Sequence, residues 1–306
     1  MNQDRLCSAA SVARSRSRIG EPFTRRGTAA AGVQPKARPV VLTGHARART
    51  LPVVSPPHGI IGSMTLLVGM HLGSYVIIAA DTRASWYTPK GKFGYRDDAE
   101  KVRETDLGLI TGAGLANILD PVKDALATND HGVRTTHDLE ALMRNAREAY
   151  RDEVDWWNAK PYLWEAFEIT GWLFTYQGGD SPTAETCTLR LACASGSDGF
   201  RCRLIAPDQV YVSTPTGLAQ EQVDAFRDWI NEQLIPLASP SDFSANLNHH
   251  IGLIREVMKA VADLNDGVSA QFQVGVHTHG VPGGGSYVGI SQIVADDKFN
   301  LALTPF

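Results

Sequence analysis

One threonine in this 306-residue chain has both the side chain and the neighbour that nucleophilic chemistry needs. Thr65 follows Met64. A small residue after an initiator methionine is the situation in which aminopeptidases remove that methionine. A chain that then began at Thr65 would carry a hydroxyl and a free α-amine on one residue. An α-amino group titrates at about 7.7–8, so it can take the hydroxyl proton near neutrality. This is nucleophilic catalysis with the N-terminal amine as base. The plainer alternative is an ordinary strand threonine.

The other chemical candidates carry less. His277 and His279 lie two apart in a strand, hence on one face, and supply two metal ligands without a third. His249-His250 read as helix-surface residues. Trp156, Trp157, Trp164 and Trp172 read as core or subunit contacts, with a substrate groove as the alternative. The glycine-rich stretch Val281 to Ser286 lies between strands and opens no helix, so it is a hairpin loop and not a phosphate cradle. Cys7, Cys187, Cys193 and Cys202 are spaced neither as a disulfide framework nor as a metal pair. That usage points to a reducing compartment and a cytoplasmic location.

Composition and charge divide the chain. Residues 1–63 hold ten Lys/Arg against Asp4 and Glu21, a net of +8, while the remaining 243 residues hold 19 basic and 31 acidic side chains, a net of −12. The first region is rich in Arg, Ser and Pro, shows no helix or strand period, and ends in the extended stretch Leu51 to Gly59. It is expected to lack a packed core and to be disordered. It could be a nucleic-acid or anionic-surface arm, a transit peptide, a propeptide, or sequence upstream of a true start at Met64; the last is favoured. The acidic remainder, residues 64–306, argues against nucleic acid as a partner. No apolar run reaches the length of a membrane-spanning helix.

The elements that must position Thr65 follow from pattern. Thr65–Leu72 and Tyr75–Ala80, separated by Gly73-Ser74, read as a hairpin. Residues 82–98 are polar and read as a loop or irregular hairpin, and Leu107–Thr111 as a buried strand. Helices are expected over Leu115–Ala127 and after the capping-box-like Thr135-x-x-Asp138, where Leu139, Leu142, Met143, Ala146, Tyr150 and Val154 share a face. Strands follow at Trp172–Tyr176, Cys187–Cys193 and Phe200–Leu204. Two more helices begin near Leu218 and Phe243, and strands at Phe272–His277 and Tyr287–Val294 close the chain. The order ββ–β–αα–βββ–αα–ββ suits an α+β fold, a four-layer αββα sandwich of two antiparallel sheets with helices outside.

Thr65-Leu-Leu-Val-Gly69, Tyr75-Val-Ile-Ile-Ala-Ala-Asp81-Thr82-Arg83-Ala84, Ala99-Glu100-Lys101-Val102 and Ile110-Thr111-Gly112-Ala113-Gly114 together resemble the proteasome β-subunit family of N-terminal-nucleophile hydrolases. The similarity is strongest over residues 65–117, with the sixteen-residue step from Thr65 to Asp81 matching without a gap. The Met-Thr start is similar to that of some bacterial proteasome-like proteins. Self-processing members have glycine where Met64 stands, so methionine removal fits better than self-cleavage.

The resemblance implies a set of roles. Thr65 would be nucleophile and, through its amine, base. Lys101 would favour the ionised hydroxyl, and Asp81 would orient Lys101. The bland alternative for that pair is a surface ion pair. The loop before Lys101 is about four residues longer than the family's, by the same comparison. Gly112 would donate its N–H to the oxyanion, with Gly114 as the fallback. Asp266-Gly-Val-Ser269 resembles an Asp-x-x-Ser pair near the threonine amine, though Ala270 stands in place of the usual glycine; read alone, Asp266-Gly267 is a turn. The family's Gly-Ser-Gly serine has no clear counterpart among Ser213, Thr214 and Thr216. Ala84, Ala99 and Arg103 would border the substrate pocket, Arg103 biasing it toward polar or acidic groups. The implied function is a threonine-type peptidase acting through an acyl-enzyme on Thr65, with no cofactor or metal. Its partners would be a peptide or amide substrate, a homo-oligomeric ring and an ATP-dependent unfoldase. The rivals are a small-molecule amidohydrolase, an inactive structural subunit, or a tethered binding protein.

Overall fold

The computed structural model describes residues 5–6, 65–87, 93–128, 133, 135–153, 166–179, 188–293 and 301–306. Val154, Trp156, Trp157, Trp164 and Cys187 therefore lie outside the described residues. Of the basic region, Arg5–Leu6 (β1) is described. Thr65 leads directly into β2, Leu67–His71, which turns through Gly73 into β3, Tyr75–Asp81. Gly73 has φ +73°, a left-handed turn that glycine adopts without penalty. The residues of both strands are buried throughout, as the unbroken apolar runs require.

The polar stretch 82–98 contains a hairpin, β4 (Ala84–Tyr87) with β5 (Phe93–Arg96), where Ser85 faces Tyr95. There follow β6 (Arg103–Thr105), β7 (Gly108–Ala113), and helices α1 (Ala116–Thr128) and α2 (Thr136–Glu153). The cap of α2 is the reciprocal one its sequence foretells: Asp138 N–H donates to Thr135 Oγ1 at 3.1 Å, and Thr135 N–H donates to Asp138 Oδ2 at 2.9 Å. Then come β8 (Gly171–Gly179), β9 (Thr188–Ser195), β10 (Arg203–Ile205) and β11 (Gln209–Ser213). Helices α3 (Gln220–Asn231) and α4 (Phe243–Leu264) precede β12 (Phe272–His279), β13 (Ser286–Ile293) and β14 (Thr304–Pro305).

These elements make an α+β fold with two antiparallel sheets. The first runs β10-β9-β8-β7-β6, with β1 on the far end of β8; the second runs β11-β2-β3-β12-β13-β14. Three apolar cores follow from strand alternation. Leu67, Val76, Ile78 and Ala80 of the second sheet cluster with Leu109, Leu173 and Leu191 of the first. The opposite face of the second sheet, with Leu66, Val68, Met70 and Ile77, packs on Ile230 of α3 and on Leu247, Ile251 and Ile254 of α4. The opposite face of the first, with Ile110, Trp172 and Phe174, packs on Ile118 and Val122 of α1 and Leu139 and Met143 of α2.

The structure corrects several expectations. The strand foreseen at Phe200–Leu204 is short and begins at Arg203, because Phe200 closes a turn with φ 62° and is itself buried. Strand β11 was unforeseen; its alternating Val210 and Val212 pair it with β2. His250 is buried, not on the helix surface. Its Nε2 accepts from Ile235 N–H at 3.2 Å and its Nδ1 meets Tyr75 Oη at 3.0 Å. Both ring nitrogens of His277 are engaged, by Thr175 Oγ1 at 2.8 Å and Gln177 Nε2 at 3.4 Å. Among the described residues no three or more His, Cys, Asp or Glu side chains come together as a metal site, and no helix is long and apolar enough to cross a membrane.

Burial lowers the pKa of His250 to about 4 and of His277 to about 3, each further lowered by a neighbouring histidine. In the unfolded chain both take protons below about pH 6.5. The stability they contribute is complete above that pH and drains as pH falls toward those folded values. By pH 4 the loss should be on the order of 3 kcal/mol per histidine. Denaturant melts between pH 7 and 4 should show it, and His277→Gln should flatten the dependence.

Candidate active site

The ends of three strands bring three polar side chains together. Thr65 sits two residues before β2, Asp81 is the last residue of β3, and Lys101 sits two residues before β6. Lys101 Nζ donates to Thr65 Oγ1 at 2.9 Å and to Asp81 Oδ1 at 3.1 Å. The Asp81 residue is 0% exposed and the Lys101 side chain 11%, so the pair is no surface salt bridge. Thr65, 8% exposed, still reaches a cleft of 820 Å³.

Asp81 anchors the group. Its Oδ1 also accepts from Leu66 N–H at 2.9 Å, and its Oδ2 accepts from Arg83 N–H at 2.9 Å and Ser269 N–H at 3.4 Å. One carboxylate thus ties the residue after Thr65 to the turn that carries Ser269. Burial pushes the Asp81 pKa up and the Lys101 pKa down, and in each case the partner's opposite charge pulls back. Desolvation disfavours both charged forms, which stand only because they face one another and meet donated hydrogen bonds.

Lys101 lies outside any strand ladder, and its backbone is held by side chains. Gln273 Oε1, from β12, accepts from Lys101 N–H at 2.6 Å and Val102 N–H at 2.9 Å. Lys123 Nζ, from α1, donates to the Lys101 carbonyl at 3.0 Å. Thr65 belongs to the second sheet and Lys101 leads into the edge strand of the first, so their hydrogen bond bridges the two sheets.

Arg83 braces the cleft rim. Its guanidinium grips Asp97 at 2.6 and 2.7 Å, lies 4.1 Å from the Tyr95 ring centre, and donates to the Asp266 carbonyl. Asp266 is exposed and enters the arrangement through that carbonyl, not its carboxylate. Ser269 is buried beside Asp81, and its Oγ accepts from Gln271 N–H at 3.0 Å. Ser213 pairs with Leu67 at the end of β11, and the Thr216 carbonyl accepts from Asn265 Nδ2 at 3.3 Å.

Gly112 and Gly114 both line the cleft. A Cβ at Gly112 would stand 2.7 Å from Leu119 Cδ2 and 2.8 Å from the Gly171 carbonyl oxygen, closer than real side chains come. Gly112 remains inside the β7–β8 ladder opposite Trp172, whereas Gly114 lies one residue past its last pair and has φ +116°. Ala84, Ala99 and Arg103 line the same cleft.

Sequence reasoning passed over Gln273, Lys123 and the Arg83–Asp97 brace. Gln273 carried a usable signal, a lone amide in the otherwise apolar first half of β12, Phe272 to Val276. Lys123 did too, being a charge on the buried stripe of Leu119, Val122 and Leu126.

No family model matches the chain, and no curated protein matches it. Among solved structures it is similar to the Anbu (Gly-1) mutant from Hyphomicrobium sp. strain MC1, with a TM-score of 0.48 and 14% identity over 76% of this chain and 89% of that one. At that distance the likeness transfers no residue role.

Gln273→Leu would strand the N–H groups of Lys101 and Val102 beside an apolar side chain. The expected cost is about 2 kcal/mol of unfolding free energy, read by urea denaturation. Gln273→Glu keeps the acceptor and should lose less.

Proposed function

We propose that this protein is an N-terminal threonine hydrolase that cleaves a peptide or amide bond through an ester on Thr65, in a proteasome-β-like setting. The three apolar cores read as the four layers of an αββα sandwich. The observation that carries the proposal is the buried chain of hydrogen bonds from Asp81 through Lys101 to Thr65 Oγ1, opening on a cleft.

Removal of the residues before Thr65 frees its amine. Thr65 Oγ attacks the substrate carbonyl carbon while the amine accepts the hydroxyl proton. The Lys101 ammonium, held by Asp81, stabilises the developing negative charge on Oγ. The carbonyl oxygen becomes an oxyanion and accepts a backbone N–H of the cleft wall. Gly112 and Gly114 are the candidates, and Gly114 is favoured because it stands outside the ladder. Collapse of the intermediate breaks the C–N bond, and the leaving amine takes the proton from the Thr65 ammonium. Water then attacks the ester carbon, giving a proton to the same amine; the bond from that carbon to Thr65 Oγ breaks, the ammonium returns the proton to Oγ, and the acid departs. Asp81 and Ser269 act as positioning residues, through the Leu66 and Ser269 amides. Asp266 contributes by steadying Arg83.

Thr65→Ala should abolish turnover, a loss of at least about a thousandfold, with circular dichroism unchanged and stability lowered by no more than the lost hydrogen bond to Lys101, about 1 kcal/mol. Intact mass spectrometry of active protein should find Thr65 at the N-terminus. Active material with a peptide bond still on the Thr65 nitrogen would overturn the mechanism, because the base would not exist.

A further inference from the structure

The cleft beside Thr65 is lined by five cationic side chains: Arg83, Arg96, Lys101, Arg103 and Lys123. Four of them have a carboxylate partner. Arg83 holds Asp97 at 2.6 Å, Arg96 holds Asp98 at 3.4 Å, Lys101 holds Asp81 at 3.1 Å, and Arg103 is paired with Asp124. Lys123 makes no ion pair among the described residues. It is nevertheless buried, 3% exposed.

An ammonium carries three N–H donors. That of Lys123 gives one to the Lys101 carbonyl at 3.0 Å. Burial lowers its pKa to about 8; Asp120 and Asp124 of its own helix raise it, and Arg103 and Lys101 lower it. A buried cation without a paired anion is unfavourable. It is reasonable where a ligand brings the missing charge. Arg103, which the sequence places at the pocket border, is already engaged by Asp124. Asp120, half-buried one turn before Lys123, opposes an anionic ligand on the same cleft, as do the exposed Glu100 and Asp98, the latter paired with Arg96. Lys123 lies deeper than Asp120 and one residue's length from Thr65, since Lys101 meets Lys123 with its carbonyl and Thr65 with its ammonium.

We propose that Lys123 sets the substrate preference of this cleft by taking the carboxylate of an aspartate or glutamate on the residue whose carbonyl Thr65 attacks. The inference rests on the reading of Thr65 as an N-terminal nucleophile, and its test separates the two. The probes are three peptide epoxyketones differing only in glutamate, glutamine or lysine beside the electrophile. This warhead reacts with the hydroxyl and free amine of an N-terminal threonine together. The protein as purified from cells is treated with each, and the rate of adduct formation on Thr65 is followed by mass spectrometry.

The glutamate probe should react about tenfold faster than the glutamine probe, and the lysine probe slowest. Lys123→Met should bring the glutamate-to-glutamine ratio close to one, and Lys123→Arg should preserve it. Arg103→Gln should also preserve it, because that guanidinium is held by Asp124. Equal rates, or a preference for lysine, in the unaltered protein overturn the inference while the function stands, and this readout needs no variant to fold. A ratio that collapses in Arg103→Gln and survives in Lys123→Met moves the preference to Arg103 and overturns the assignment. No adduct on Thr65 with any of the three overturns the function itself, and the inference with it.

Discussion

The buried pairing of Asp81 with Lys101 is the constraint around which the site is built. Two ions removed from water lose solvation that their mutual attraction restores only when the geometry is good and the remaining lone pairs are met. Here they are met. Asp81 accepts from the amides of Leu66, Arg83 and Ser269 as well as from Lys101. A carboxylate so surrounded holds the chain beside Thr65, the turn after β3 and the turn before β12 in one register. The lysine it orients is thereby aimed at one hydroxyl. The same atoms hold the site and the fold, so the site cannot relax without cost to the fold.

Much of this was legible from residue types alone. Unbroken apolar runs gave the buried strands around Thr65, and Thr135-x-x-Asp138 gave the start of α2 because its hydrogen bonds are local. The meeting of Thr65, Asp81 and Lys101 was legible only through a resemblance of short motifs, in which the step from Thr65 to Asp81 matched and the loop before Lys101 did not, since nothing in a strand's period says which other strand it will face. Long-range side-chain-to-backbone contacts escaped for that reason. Gln273 contacts Lys101 from 172 residues away, and no local pattern encodes the pairing. His250 escaped for a different reason: a polar residue inside an apolar helical stripe is ambiguous until its partners, the Tyr75 hydroxyl and the Ile235 amide, are known. The short strands β10 and β14 carry too few residues for a period to show.

Among the described residues, the cleft holds both paired and unpaired cations. Arg83 joins the β4–β5 hairpin to the turn at Asp266, and Arg103 joins β6 to α1 through Asp124. Both cations are committed to holding the wall. A cation so committed offers an incoming group little, because the competing carboxylate is already in place. What distinguishes charges within such a cleft is therefore their pairing rather than their number.

The bond between Thr65 and Lys101 crosses from one sheet to the other, where side-chain packing, the Gln273 amide and the His277 contacts with Thr175 and Gln177 keep the two in step. Its length is thus a gauge of how the sheets are seated. A slide of about an ångström at the apolar interface, far from the cleft, would open a hydrogen bond that weakens steeply with distance and angle. The aliphatic residues between the sheets are in this sense a vernier for the Thr65 hydroxyl, and a volume change among them would be felt in that hydrogen bond before it was felt as unfolding.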